Sequence, residues 1–259
     1  MSDEPEPAER PAPAPAPPPS WKRHLRFRWS LLILLTVTVG TAIGVVVRQQ
    51  RGRKAWARVK QATISGDTET VKWCIDIDPS LIEHQFPGGQ LLHYACRGGD
   101  VDMAALLIQR GADVSGCSSV GAAPLHEAVS SFDNRAALVR MLIEAGADAT
   151  PVMSMGETPL HTVCTFNDRA EALEVAQTLI DAGADVNAKD MWGNTPLHEL
   201  TGGLGELDVM PDSAELKLAK LLIDHGADWE VKNGEGKSPK DLCDFQPFHD
   251  YVAEKRTEK

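Results

Sequence analysis

The chain has 259 residues and a formal net charge of −11. This charge is divided unevenly, because residues 21–60 carry ten Lys or Arg and no acid, whereas residues 61–259 carry 33 acidic and 15 basic residues. Binding to nucleic acid depends on neutralising phosphates, so the acidic body argues against DNA or RNA as a partner.

The first 60 residues differ in character from the rest. Residues 1–20 are rich in Pro and Ala with little apolar bulk, which predicts a disordered, polyproline-like tail. Residues 21–30 and 48–60 are basic and flank the uncharged apolar run 31–47, so they are predicted to be a juxtamembrane segment and a juxtamembrane linker. Basic residues on both sides of an apolar run suit anionic lipid headgroups.

Residues 31–47 carry no charge and predict one transmembrane helix. Seventeen helical residues span about 26 Å, slightly less than a hydrocarbon core of about 30 Å. Trp29 and Ser30 extend the run, and Arg28 and Arg48 are placed to reach the headgroups. A cleaved signal peptide is the alternative, although its apolar region is usually shorter.

Small residues recur along one face of this predicted helix, at Thr36, Gly40 and Gly44. The Gly-x-x-x-Gly spacing lets two membrane helices approach closely, so a homodimer within the bilayer is possible. The alternative reading is that these glycines have no role in assembly, because glycine is common in membrane helices.

The orientation of the chain is indicated by the basic residues and the cysteines. Four basic residues precede the apolar run and six follow it closely, which favours a cytoplasmic C-terminal domain. The five cysteines are odd in number and widely spread, unlike a disulfide framework. We therefore expect a single-pass membrane protein with a cytoplasmic C-terminal domain.

A repeated motif organises the remainder of the chain. The tripeptide Gly-Ala-Asp begins at Gly111, Gly146, Gly183 and Gly226. A histidine follows each of the first three glycines by fifteen residues, within the sequences APLH, TPLH and TPLH. Thr158 and Thr195 stand at helix N-cap positions before a proline at the first helical position, and each glycine suits a left-handed C-cap. The unit therefore predicts a helix, a turn, a second helix and a returning loop.

These motifs resemble the ankyrin repeat, which opens with Thr-Pro-Leu-His and closes with Gly-Ala-Asp. The resemblance implies an all-α repeat solenoid of stacked helix-turn-helix units with loop or hairpin connections, over residues 61–255. About six units are expected, at 57–86, 87–119, 120–152, 153–190, 191–233 and 234–255, with a polar cap at the end. It also implies that the repeat histidines hydrogen-bond locally and tie each helix start to its loop; they are His93, His126, His161 and His198.

The distance from each repeat histidine to the following glycine grows along the chain, which predicts longer turns between paired helices. The longest insert, at residues 202–213, is expected to be an exposed loop. Two interpretations remain open, because surface loops accept insertions at little entropic cost and a rim of long loops is also suited to binding.

No catalytic, cofactor or metal site is expected. The His93/Cys96 and His161/Cys164 pairs lie two repeats apart, too far for one tetrahedral zinc ion. His126-Glu127 and His198-Glu199 open like a zinc-protease motif, but its second histidine is replaced by Ser130 and Gly202. An enzyme is therefore not predicted.

Function is then expected to depend on surfaces. Several predicted loop tips carry apolar residues where polar ones are usual: Val120, Met153, Met155, Met191 and Trp192. Exposed Met and Trp suit adaptable apolar contacts, although these side chains could also fold back onto neighbouring tips. The sequence predicts a membrane-anchored protein-interaction module that binds a protein with a basic patch; the alternative is a structural dimer assembled through the Gly40/Gly44 face.

Overall fold

A computed structural model describes residues 56–165, 171–204, 213–244 and 246–258. The predicted tail, the apolar run 31–47 and its small-residue face at Thr36, Gly40 and Gly44 lie outside these residues. No helix in the described part of the chain has the length and apolar character needed to cross a bilayer. The predicted span at 31–47 therefore stays a prediction.

The described residues form helices joined by turns and loops, and no strand is found among them apart from an isolated bridge between Phe86 and Gly89. Residues 56–64 are helical and are called α1, and a short 3₁₀ turn covers Pro79–Leu81. The other helices are α2 Thr68–Ile77, α3 Leu91–Arg97, α4 Val101–Gln109, α5 Pro124–Val129, α6 Arg135–Glu144, α7 Pro159–Thr165, α8 Ala172–Asp181, α9 Pro196–Leu204, α10 Ala214–Asp224 and α11 Gln246–Glu258.

The helices stack in two layers. The first helices of successive repeats contact one another in the order α3, α5, α7 and α9, and the second helices do so in the order α4, α6, α8 and α10. The first set is called the inner helices below, and the second set is called the outer helices. This arrangement confirms the prediction of an all-helical solenoid built from repeated helix pairs.

The core repeats the same leucines in the four units that contain a repeat histidine. One leucine precedes each repeat histidine, and another lies near the middle or end of each outer helix; all are almost fully buried: Leu92, Leu125, Leu160, Leu197, Leu107, Leu142, Leu179 and Leu222. Burial of one such side chain stabilises the fold by about 1.5–3 kcal/mol. Because each repeat contacts only its neighbours, these layers join the units into one continuous core.

The structure corrects the boundary of the longest insert. The predicted loop 202–213 begins inside a helix, because α9 continues to Leu204. Buried Leu197, Leu200 and Thr201 hold this helix against its neighbours, and packing overrides the helix cost of about 1 kcal/mol for a glycine. The predicted loop also ends as the N-cap of α10, where the Ser213 side chain accepts a hydrogen bond from the Leu216 N–H at 3.2 Å.

In the final predicted unit, 234–255, the described residues form no inner helix; turns are followed by α11, which extends to Glu258. Asp241 stands where the other units have a histidine, and its Oδ2 accepts a hydrogen bond from the Ser238 N–H at 3.0 Å. Phe248 and Val252 on α11 are buried against the last complete repeat. Trp229, which follows the last Gly-Ala-Asp motif, is also buried in the core.

Candidate protein-binding face

A histidine ties each inner helix to the loop of the next repeat. In each case Nδ1 accepts a hydrogen bond from the backbone N–H three residues earlier, on Gln90, Ala123, Thr158 and Thr195, at 3.0–3.2 Å. The Nε2 atoms lie 2.9–3.3 Å from carbonyl oxygens one repeat further on, at Ala122, Glu157, Asn194 and Lys237. Because Nδ1 faces a donor and Nε2 an acceptor, each ring is held as the neutral Nε2–H tautomer.

The threonines before two of these helices have a different role from the predicted one. The hydroxyl groups of Thr158 and Thr195 donate to Nδ1 of His161 and His198, at 2.9 and 2.8 Å. They therefore hold the histidine ring in place, whereas the sequence predicted that they cap the helix.

Acidification from pH 7 to pH 5 is expected to lower the free energy of unfolding. Burial holds the pKa of His93, His126 and His198 below the ordinary 6.5 in the folded chain. The unfolded chain therefore binds protons first as the pH falls below 6.5, and each histidine adds a slope of up to about 1.4 kcal/mol per pH unit. Urea unfolding at pH 7, 6 and 5 measures this slope.

The Glu199 carboxyl has the opposite effect on stability. Its pKa is raised above 4.5 in the folded chain, so the folded chain retains this proton longer and the free energy of unfolding decreases at this site as the pH rises. On acidification, the stability lost at three histidines is expected to exceed the stability gained at one carboxyl. A free energy of unfolding that stays constant or rises on acidification would therefore contradict the assigned tautomers.

The loop tips form a continuous row joined by main-chain hydrogen bonds. The Ser154 N–H donates to the Val120 carbonyl at 3.1 Å, and the Met191 N–H donates to the Met155 carbonyl at 2.9 Å. The Gly234 N–H donates to the Trp192 carbonyl at 2.7 Å. The row therefore presents its side chains on a hydrogen-bonded backbone that spans several repeats.

Most of the apolar tip residues lie at the surface. Val120 and Met155 are exposed, Met191 is 64% exposed and Trp192 is 49% exposed. Met153 is half-buried and faces a cleft behind the tips. The sequence interpretation missed Val152, which is also exposed. The sequence alone does not distinguish Val152 from Met153, because only the backbone turn decides which of the two side chains points outward.

The cleft has a volume of about 200 Å³ and lies between the inner helices and the tips. Residues that line it include Ser130, Met153, Glu157, Thr162, Thr165 and Glu199. Small side chains on the inner helices leave the space open, and two glutamates supply negative charge. The sequence interpretation did not assign Glu157 or Glu199 to a site.

Glu199 has an unusual electrostatic environment. Burial raises the pKa of its carboxyl, and the nearby carboxylates of Asp190 and Glu157 raise it further, whereas the nearby His161 lowers it. The Asn194 side-chain N–H₂ donates to Glu199 Oε1 at 3.0 Å. Within the described ranges, no Lys or Arg forms an ion pair with Glu199.

The described residues contain no group of three or more His, Cys, Asp or Glu side chains arranged to hold a metal ion. All five cysteines are free thiols, and only Cys117 is exposed. Burial raises the pKa of the Cys96 thiol strongly, so this sulfur is a poor nucleophile.

Two family models match the chain. The model described as ankyrin repeats in three copies matches residues 59–153, and the single ankyrin-repeat model matches residues 155–191. No curated protein matches the chain. The two family matches together cover just over half of the chain and contain the stacked helix pairs up to α8, so the chain belongs to the ankyrin-repeat family.

Proposed function

We propose that this chain is a membrane-anchored interaction module that holds a protein partner at the bilayer. The observation that carries the proposal is the row of apolar tips, Val120, Met153, Met155, Met191 and Trp192, of which four are exposed on a hydrogen-bonded backbone. Ankyrin repeats indicate protein–protein interaction, and solenoids bind partners along extended surfaces.

The chemistry of the tips supports a protein partner. Trp is among the residues that contribute most energy to protein interfaces, and Met adapts its unbranched side chain to irregular surfaces. Met191 and Trp192 are adjacent in the sequence and both exposed, so they offer a continuous apolar contact within the row.

The charge of the repeat domain supports a partner with a basic patch. Residues 61–259 have more than twice as many acidic as basic residues, and the cleft behind the tips contains Glu157 and Glu199. Attraction between opposite charges raises the rate of encounter and weakens with salt, so capture is expected to decrease at high ionic strength.

The proposed anchor is the apolar run 31–47, with the repeat domain 61–255 on the cytoplasmic side. The six basic residues that closely follow the run support this orientation. The free thiols of the repeat domain are compatible with a reducing compartment.

Replacement of Met191 and Trp192 by Ser is expected to reduce partner capture at least tenfold without lowering the melting temperature, because both side chains are exposed. One lost interface anchor costs about 2 kcal/mol or more. A promiscuous biotin-labelling enzyme fused after Lys259, in the native membrane, measures capture and reports the compartment of the repeat domain. Thermal unfolding measures stability.

The matched control replaces Ile77 and Phe132 by Ser. These residues are 64% and 86% exposed but lie on α2 and in the α5–α6 turn, away from the tips. We expect their replacement to leave labelling unchanged. Labelling that is equal in both double variants would show that the tips do not bind the partner, and labelling of the opposite compartment would reverse the orientation.

A further inference from the structure

Two repeats place a glutamate at the same position. Glu127 in α5 and Glu199 in α9 each directly follow the repeat histidine and are the fourth residue of their helix. Glu127 is paired with Arg97 of the preceding repeat by two hydrogen bonds, from Nε to Oε2 at 2.8 Å and from Nη2 to Oε1 at 2.5 Å. This position in the solenoid therefore binds a guanidinium group in a bidentate manner.

The second glutamate lacks the corresponding arginine. Arg97 lies four residues after His93, and the residue four after His161, in the repeat that precedes Glu199, is Thr165. A threonine is too short to cross to the next repeat. Thr165 and Glu199 both line the cleft, which opens where the arginine lies in the earlier repeat.

Among the described residues, no Lys or Arg forms an ion pair with Glu199; of the histidines that line the cleft with it, His161 lowers the pKa of the Glu199 carboxyl. Its one side-chain partner among the described residues is the neutral amide of Asn194. Glu157 and Asp190 add further negative charge nearby. A cation close to a partly buried carboxylate stabilises its charged form, so a positive group is the ligand that this cleft favours.

We propose that the cleft receives an arginine side chain of the protein partner, whose guanidinium binds Glu199 as Arg97 binds Glu127. This inference rests on the function proposed above and specifies the partner's chemistry. Arginine fits better than lysine, because its planar fork forms two parallel hydrogen bonds to one carboxylate. Met153 lines the same cleft, so its flexible thioether is available to pack against the aliphatic part of the arginine.

The binding test uses N-acetyl-arginine methylamide as the probe and the full chain in lipid nanodiscs, with ¹³C-labelled methionine methyl groups. A saturable shift of the Met153 methyl signal, assigned with Met153→Leu, is expected. N-acetyl-citrulline methylamide has the same shape without the charge and is expected to bind at least about tenfold more weakly. Equal binding of the two probes would overturn the inference.

Glu199→Gln removes the proposed ligand and is expected to weaken binding of the arginine probe about tenfold or more. The matched control is Glu144→Gln, which makes the same change of charge at an exposed position at the end of α6. The control variant is expected to bind the probe as the unmodified chain does. If both variants weakened probe binding equally, the effect would come from the net charge of the chain and not from Glu199, which would overturn the assigned site.

Thr165→Arg places a guanidinium in the cleft from within the chain, at the position that corresponds to Arg97. This variant is expected to raise the melting temperature and to abolish the Met153 shift with the arginine probe. Its stabilising effect is expected to disappear when Glu199→Gln is added, because Thr165→Arg supplies one partner of the ion pair and Glu199→Gln removes the other. Unchanged probe binding in Thr165→Arg would place the probe elsewhere and overturn the inference.

Arg169 lies outside the described residues but follows α7 closely in the sequence. Arg169→Gln tests whether the chain itself supplies the arginine. We expect this variant to bind the probe with unchanged affinity, and binding that appears only in this variant would overturn the partner assignment.

The two proposals fail separately. Tip-dependent labelling without probe binding would leave the proposed function standing and reject the arginine site. Probe binding without tip-dependent labelling would reject the proposed tip surface while keeping the cleft as an arginine site.

Discussion

Gly156→Ala is expected to lower the free energy of unfolding by about 2–4 kcal/mol. Gly156 has a φ of +82°, a backbone conformation that alanine adopts only with strain. A Cβ atom at this position would also lie 2.9 Å from the Cα of Asp190 and 2.9 Å from the backbone N of Met191. Both atoms belong to the main chain of the next loop tip, so they cannot move aside by rotating a side chain.

The consequence extends to the proposed binding face. The next tip is joined to this one by the hydrogen bond from the Met191 N–H to the Met155 carbonyl, at 2.9 Å. Displacement of the Asp190–Met191 backbone would therefore also move Met191 and Trp192, and we expect partner capture to fall at temperatures where the variant remains folded.

Gly146→Ala is the matched control. Gly146 has a φ of +91°, but a Cβ atom there would meet nothing within 4 Å. In this variant the substitution causes backbone strain without a steric clash, so we expect the free energy of unfolding to fall by only about 1–2 kcal/mol. Urea unfolding of both variants measures the difference, and equal losses would show that the close approach between neighbouring tips does not contribute.

The features predicted correctly from the sequence depend on short local motifs. The prolines of the Pro-Leu-His sequences begin α5, α7 and α9, as the first-position rule requires. The Gly-Ala-Asp glycines follow the outer helices with a positive φ, as expected of a left-handed C-cap. Each of these features involves a few neighbouring residues whose backbone preferences do not depend on the rest of the fold.

The features that were missed depend on contacts between repeats. The extension of α9 beyond Gly202 follows from the packing of Leu197 and Leu200, which overrides a glycine signal. The cleft at Glu199 follows from the absence of an arginine in the preceding repeat. Alignment of the repeats does place Thr165 at the position of Arg97. The sequence does not show, however, that this position contacts the glutamate of the next repeat across the interface between units.

His93→Leu is expected to lower the free energy of unfolding by about 2–5 kcal/mol. The ring is fully buried, and its two nitrogen atoms contact the Gln90 N–H at 3.1 Å and the Ala122 carbonyl at 2.9 Å. Leucine has a similar size but no polar atoms, so both buried backbone groups would lose their partner. An unsatisfied buried polar group costs about 1–3 kcal/mol.

The control for this prediction is His225→Leu. His225 is exposed, and its Nδ1 lies 2.9 Å from the Leu221 carbonyl within its own helix turn. We expect a change within about 0.5 kcal/mol, as for most surface substitutions. Urea unfolding at pH 7 compares the two variants, and an equal stability of His93→Leu and the unmodified chain would mean that water satisfies the freed groups.

The pH dependence of His93→Leu separates loss of the histidine from general damage to the core. Burial lowers the pKa of His93, so the unmodified chain loses stability at this site as the pH falls below 6.5. The variant has no imidazole to protonate here, and the difference in stability between the two chains is therefore expected to shrink from pH 7 to pH 5. A constant difference would show that His93 remains neutral to the same extent in both states, contrary to the hydrogen-bonded role assigned to its ring.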